Sequence, residues 1–286
     1  MKFEEFGLSQ LTQNGIQAVG YIQATPVQQH VIPAVLKGKD ILACAQTGTG
    51  KTGSYVLPLI HFLETTRSRA RMPRSVVLVP TRELASQVHE TFSLCGQFHK
   101  LKIAVVIGGE SPFMQEKILM KGVDVIIATP GRFLDLHEKG RILLNDVSFF
   151  VIDEADRMLD MGFVPDMDRI VKLLPHKHQT LMFSATLPPE IRQLAQTFMD
   201  TPLEISIDQP ATTAITIEQY SIHVPPKLKN QSLKHLIDHE KISSAIIFCN
   251  RKKDVKSLYD ALKREGMSVG EIHGDLHQIQ RTQVLE

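Results

Sequence analysis

The chain has almost no net charge. Its 32 Lys and Arg stand against 31 Asp and Glu, a formal +1 over 286 residues, with a pI of about 7.8. Bulk electrostatics therefore give no argument for a polyanionic partner, and any such case must rest on local features. Cysteine is scarce too. Cys44, Cys95 and Cys249 are far apart and no Cys-x-x-Cys occurs, so the expectation is buried, reduced thiols in a cytoplasmic protein. His235 and His239 sit one helical turn apart, but no Cys or third ligand lies nearby in sequence, which argues against zinc. The start, Met1-Lys2-Phe3-Glu4-Glu5-Phe6, carries acid where a signal peptide carries an apolar core. Apolar runs such as 123–128 are far too short to span a bilayer. There are no repeats and no low-complexity tracts.

What is present is a regular alternation of short apolar runs and helical stretches. The pattern predicts helices over 8–20 and from Pro26 to Lys37, the second with Thr25 as cap and Gly38 as stop. Strands are predicted over 41–45, 75–79, 103–107, 123–128, 149–152, 180–183 and 203–207. Between them, helices are predicted over 51–64, 82–97, 111–120, 165–174 and 189–199. Strands this apolar are buried on both faces, which implies an α/β fold: a parallel sheet with helices on each side. Ligands in such sheets bind beyond the C-terminal strand ends. Residues 209–214 are small, polar and read as a linker after a first domain over 1–208. Beyond it, over 215–286, strands are expected at 217–224, 244–248 and 267–272, with helices at 228–239 and 254–265. That series is too short for a complete domain of roughly 100–150 residues. Exposed apolar strand edges are therefore expected there, favouring local disorder or association of an otherwise monomeric chain.

The informative residues lie just after the strands. Ala45-Gln46-Thr47-Gly48-Thr49-Gly50-Lys51-Thr52 follows the first strand and opens a helix, the arrangement of a phosphate-cradling loop. Gly48 and Gly50 permit the tight turn, and the helix N-terminus offers N–H donors and a positive dipole end. Lys51 can reach β- and γ-phosphates, and the Thr52 hydroxyl can hold Mg2+. Ala45 departs from the usual first Gly of G-x-x-x-x-G-K-[ST]. A second signal is Asp153-Glu154-Ala155-Asp156, delivered by the strand at 149–152. Asp153 is placed to order Mg2+ and its waters opposite Thr52, and Glu154 to orient and deprotonate an attacking water. Paired acids at a strand end can also simply cap the next helix. The basic stretch 67–74 reads as a solvated surface loop.

Asp153-Glu154-Ala155-Asp156 spells the signature of the DEAD-box RNA helicases, and the chain resembles that family in its other motifs, in order. Gly20-Tyr21-Ile22-Gln23-Ala24-Thr25-Pro26-Val27-Gln28 resembles the adenine-reading segment. The resemblance implies that Gln28 bonds the adenine edge, that Thr25 supports the loop, that Tyr21 lines the nucleotide and that Phe3, seventeen positions before Gly20, stacks on the base. Pro80-Thr81-Arg82-Glu83 resembles the first RNA-contacting motif, though it also reads as a plain helix start capped by Thr81. Gly108-Gly109 and Thr129-Pro130-Gly131-Arg132 resemble the next two. Ser184-Ala185-Thr186 resembles the motif that links hydrolysis to strand separation, with Asp156 assigned to the same coupling set. Asn250 after the strand at 244–248, and Gly274 with Gln278 and Arg281, resemble two motifs of the second domain.

The resemblance covers essentially the whole chain. It implies two RecA-like domains, ATP and Mg2+ as cofactors, and RNA as the partner, held by its backbone with little sequence preference. It is nearest to compact bacterial members acting in ribosome assembly or RNA decay, whose proteins become the expected protein partners. The family's last two motifs would follow Glu286, and one supplies an arginine finger worth about 10³–10⁵ in rate. This chain alone is therefore expected to bind ATP and hydrolyse it very slowly. Two alternatives stand beside an ATP-dependent RNA helicase: a non-catalytic ATP- and RNA-binding module partnered by a separately encoded remainder, and a phosphate-loop enzyme unrelated to nucleic acid.

Overall fold

A computed structural model describes residues 1–65, 72–207, 217–276 and 278–285. The chain divides into two compact units, Met1–Pro210 and Ala211–Glu286. The expected linker at 209–214 lies outside the described residues.

Unit one is built on seven strands: β1 (Ile41–Cys44), β2 (Ser75–Leu78), β3 (Ile103–Val106), β4 (Val125–Ala128), β5 (Phe149–Ile152), β6 (Gln179–Ser184) and β7 (Leu203–Ser206). They form one sheet in the order β3-β4-β2-β5-β6-β1-β7, and every pairing is parallel. The helices are α1 (Gln10–Ala18), α2 (Pro26–Leu36), α3 (Lys51–Thr65), α4 (Arg82–Cys95), α5 (Pro112–Met120), α6 (Pro130–Glu138), α7 (Ala155–Asp160), α8 (Val164–Leu173) and α9 (Pro189–Phe198). Each expected element of this unit forms, with ends displaced by one or two residues. The short helices α6 and α7 are additional.

The strands are apolar throughout because the sheet is covered on both faces, and their side chains alternate between two cores. Ala43, Val77, Val151, Leu181 and Phe183 face one core with Ile16 of α1, Val31 of α2, Tyr55 and Ile60 of α3 and Phe92 of α4. Leu42, Val76, Phe150, Ile152 and Met182 face the other, with Phe133 of α6, Met158 of α7, Ile170 of α8 and Phe198 of α9. Fully buried side chains of this size each contribute about 1.5–3 kcal/mol.

Arg74 and Asp124 form a buried ion pair at 2.7 Å where β2 and β4 begin. Arg74 also donates to the Leu63 carbonyl at 2.7 Å. This corrects part of the basic stretch expected at the surface: Arg74 belongs to the scaffold, while residues 66–71 lie outside the described residues. All three cysteines are free, with Cys95 buried and Cys44 and Cys249 half-buried. Burial pushes the Cys95 thiol up to about 11.

Unit two contains α10 (Lys229–His239), α11 (Lys252–Arg264) and α12 (Gln278–Leu285). The first two match expectation. The strands expected at 217–224, 244–248 and 267–272 do not form; among its described residues the unit contains no strand. The reason is visible at Ile246 and Phe248, which are 83% and 91% exposed. An apolar run becomes a strand only when neighbours pair its backbone and cover its faces. What is exposed here is therefore an apolar surface, not an unpaired sheet edge.

Candidate nucleotide and nucleic-acid site

All seven strands run the same way, so the segments that follow them share one rim. Strand order divides that rim. Gly108 and Gly109 follow β3, Thr129 follows β4 and Pro80 follows β2. Asp153 follows β5, the turn at 184–186 ends β6, and the loop at 45–52 follows β1. Among the strand-end residues of unit one, those expected to touch nucleic acid thus occupy one half, and those expected to touch nucleotide the other.

In the nucleotide half, Ala45 is buried and its N–H continues the sheet by donating to the Ser184 carbonyl at 3.1 Å. Gln46, Thr47 and Gly48 are exposed, and the Thr49 hydroxyl closes the turn on the Gln46 carbonyl at 2.6 Å. Gly48 and Gly50 have φ of 79° and 93°, the left-handed region that requires glycine. Gly50 also lies against Gln28: a Cβ there would stand 2.7 Å from Nε2. The Gln28 amide spans two segments, accepting from Thr25 N–H at 3.0 Å and donating to the Gly50 carbonyl at 3.2 Å. Tyr21 completes this end, since a Cβ on Gly53 would come within 3.8 Å of its ring. Phe3 is placed differently from expectation. It is 3% exposed and packed against Phe6 and Tyr21, whereas Tyr21 is 39% exposed. The accessible aromatic face here is that of Tyr21.

Lys51 is 6% exposed, and its ammonium has no hydrogen-bond partner among the described residues. Asp153 is 2% exposed. Strand alternation explains its position: two residues beyond Val151, it points to the same face, toward α3. There it accepts from the Tyr55 hydroxyl at 2.8 Å through Oδ2 and from the Glu154 N–H at 2.9 Å through Oδ1. Burial raises the Asp153 carboxyl above its ordinary value, opposed by the Tyr55 hydrogen bond and the Lys51 charge. Burial, with the carboxylate beside it, pushes the Tyr55 phenol well up, so Tyr55 remains a donor. Glu154 is half-buried and has φ 53° and ψ 54°, a left-handed backbone on a non-glycine residue. Such strain costs on the order of 1–3 kcal/mol and collects at functional sites.

This donor set fits a nucleotide with its cation. A buried, unpaired ammonium behind a glycine turn at a helix N-terminus matches a polyphosphate. Among the described residues no group of three or more His, Cys, Asp and Glu could hold a metal ion by itself. A cation at Thr52 and Asp153 is thus one that shares its coordination with phosphate oxygens and water.

Asp156 joins the next strand end to this site. Its Oδ2 accepts from Ala185 N–H at 3.1 Å, Thr186 N–H at 3.1 Å and the Thr186 hydroxyl at 3.2 Å. Ser184 is buried, and among the described residues its hydroxyl has no partner.

In the other half, Pro80 is buried, and Thr81 caps α4 by accepting from Leu84 N–H at 3.2 Å. The capping reading of Thr81 is therefore present in the structure. The Arg82 guanidinium lies over Gly109, where a Cβ would stand 2.1 Å from it. Arg132 donates to the Gln115 side chain at 3.2 Å and the Glu110 carbonyl at 3.3 Å. Gln115 in turn donates to the Ile107 carbonyl at 2.9 Å. Thr129 and Pro130 start α6, with Gly131 exposed. Two supporting residues escaped the sequence reading, Tyr55 and Gln115. Each is a polar group on a core-facing helix position, which is the signal that could have found them.

In unit two, Asn250 and Gly274 are exposed, and a Lys252–Asp275 ion pair ties their segments together. Gln278 opens α12 and Arg281 lies within it.

A family model for the DEAD/DEAH box helicase matches residues 25–194, and one for the helicase conserved C-terminal domain matches residues 228–286. The chain is 39% identical over 283 residues to the DEAD-box ATP-dependent RNA helicase CshA of Bacillus cereus, covering 99% of this chain and 53% of that protein. It is 40% identical over 290 residues to the ATP-dependent RNA helicase DeaD of Buchnera aphidicola, covering 100% of this chain and 47% of that protein. Among solved structures it resembles a DEAD box protein from the hyperthermophile Methanococcus jannaschii, with 36% identity, a TM-score of 0.69, and coverage of 100% of this chain and 76% of that one. The chain spans about half the length of the curated relatives it matches. With this agreement in sequence and fold, the chain belongs to the DEAD/DEAH box helicase family.

Proposed function

We propose that the chain binds ATP with Mg2+ at the β5–β6–β1 half of the rim, holds RNA by its backbone at the β3–β4–β2 half, and acts in ATP-driven RNA remodelling or local unwinding. The Lys51 ammonium carries the reading, because a buried cation without a partner is costly unless it serves an anionic ligand. When bound, ATP supplies the reactive γ-phosphoryl group and Mg2+ offsets its charge. Gly48, Gly50 and the N-terminus of α3 direct N–H groups at the phosphates, and Lys51 adds a point charge. Thr52 and Asp153 hold the cation's water shell. Glu154 orients a water and accepts its proton, the role its fixed, strained backbone suits. Gln28 reads the adenine edge beside the Tyr21 ring. Arg82 and Arg132, each seated by a neighbour, bind phosphodiester oxygens without reading bases. Asp156 makes the turn at 184–186 follow the position of α7, which couples two strand ends within the nucleotide half.

The test uses Glu154→Gln with a fluorescent single-stranded RNA. Nucleotide affinity should stay within about twofold of the parent chain, RNA should be retained longer with ATP than without, and any ATP turnover should fall about 10²–10⁴-fold, the usual size of a general-base contribution. RNA retention indifferent to ATP in both proteins would contradict the reading.

A further inference from the structure

We propose that Tyr55 is a positioning residue for the cation end of this site: its buried phenol orients the carboxylate of Asp153, one of the two side chains that share the cation's water shell. The inference rests on the nucleotide reading above. Tyr55 lies on α3, three residues after Thr52, and is fully buried. Its hydroxyl donates to Asp153 Oδ2 at 2.8 Å. Asp153 Oδ1 is held separately by the Glu154 N–H at 2.9 Å. Both carboxylate oxygens are thus oriented before any cation arrives, and each keeps lone-pair capacity for a water. The Tyr55 ring packs 5.1 Å from Phe183 within the core. A phenylalanine would fill that core equally well, so packing gives no reason for the hydroxyl. Its partner does: the hydroxyl meets the one carboxylate that reaches this face at the end of β5. Groups that orient metal-binding side chains from behind typically change metal affinity about 10–100-fold when removed.

The experiment compares the parent chain with Tyr55→Phe, reading equilibrium binding of a fluorescent ADP analogue across a Mg2+ titration and in EDTA, with thermal unfolding alongside. The expected result is a half-saturating Mg2+ concentration raised about tenfold. Affinity in EDTA should stay within about twofold, and unfolding should remain cooperative. Three results would overturn the assignment. One is an unchanged Mg2+ dependence in a folded variant. Another is an equal loss with and without Mg2+. The third is a variant that fails to fold, which would make Tyr55 part of the scaffold alone. Absence of Mg2+-dependent nucleotide binding in the parent chain would instead remove the nucleotide reading itself.

Discussion

Asp153 sits in a place that disfavours its charge. Burial raises its carboxyl above the ordinary value of 3.8, so the folded chain retains a proton there that the unfolded chain has lost. Stability therefore falls as pH rises from about the ordinary value through the raised one, because the native state binds more protons in that window. Asp153→Asn removes the charge and keeps the size. Without nucleotide, the variant should melt at a higher temperature than the parent chain at pH 7, and the gap should narrow toward pH 4. A variant that melts lower at pH 7 would show that the Tyr55 and Glu154 hydrogen bonds outweigh the desolvation. The same substitution should weaken Mg2+-dependent nucleotide binding, so stability and ligand binding would move in opposite directions. Glu154, with its left-handed backbone, is a second residue under strain at this strand end.

At the level of elements, the close approach of α1 to the end of α4 depends on one glycine. A Cβ on Gly15 would stand 1.9 Å from the Cys95 carbonyl oxygen, a backbone atom that cannot rotate away. Gly15→Ala gains about 1 kcal/mol in helix propensity. It should lose more than that to the forced separation, since overpacking typically costs about 1–3 kcal/mol. Urea unfolding should show a net loss; a net gain would mean that α1 moves freely. The elements of unit one were legible because buried parallel strands are short, wholly apolar and bounded by polar turns. Helix α7 was not. It has only six residues and starts from the strained Glu154, too little for a helical period to register. The unit-two strands were misread for the opposite reason. Residues 244–248 have the composition of a strand, but pairing is not a local property, and Ile246 and Phe248 are uncovered. The site was legible where backbone geometry demands particular residues, as at Gly48 and Gly50. It was not legible where a side chain acts through another, as Tyr55 does on Asp153 and Gln115 on Arg132.

At the scale of the molecule, the order β3-β4-β2-β5-β6-β1-β7 turns six dispersed sequence motifs into one rim with two chemistries. Arginines seated on a glycine and a glutamine lie on one side, and a buried ammonium near a buried carboxylate lies on the other. Asp156 and the turn at 184–186 stand on the nucleotide side and link it to α7. Unit two, by itself, exposes Asn250 and Gly274. The account depends most on the claim that the loop at 45–52 is a nucleotide cradle whose charge is supplied by Lys51. Equilibrium titration of ATP with Mg2+ into the parent chain and into Lys51→Met tests it most directly. The account predicts saturable binding by the parent chain, with ATP preferred over GTP because Gln28 and Tyr21 flank the cradle. Removing a charge-assisted contact typically costs about 1.5–3 kcal/mol, so Lys51→Met should bind about 10–100-fold more weakly. Equal affinity in the two proteins, or no binding by a folded parent chain, would contradict it.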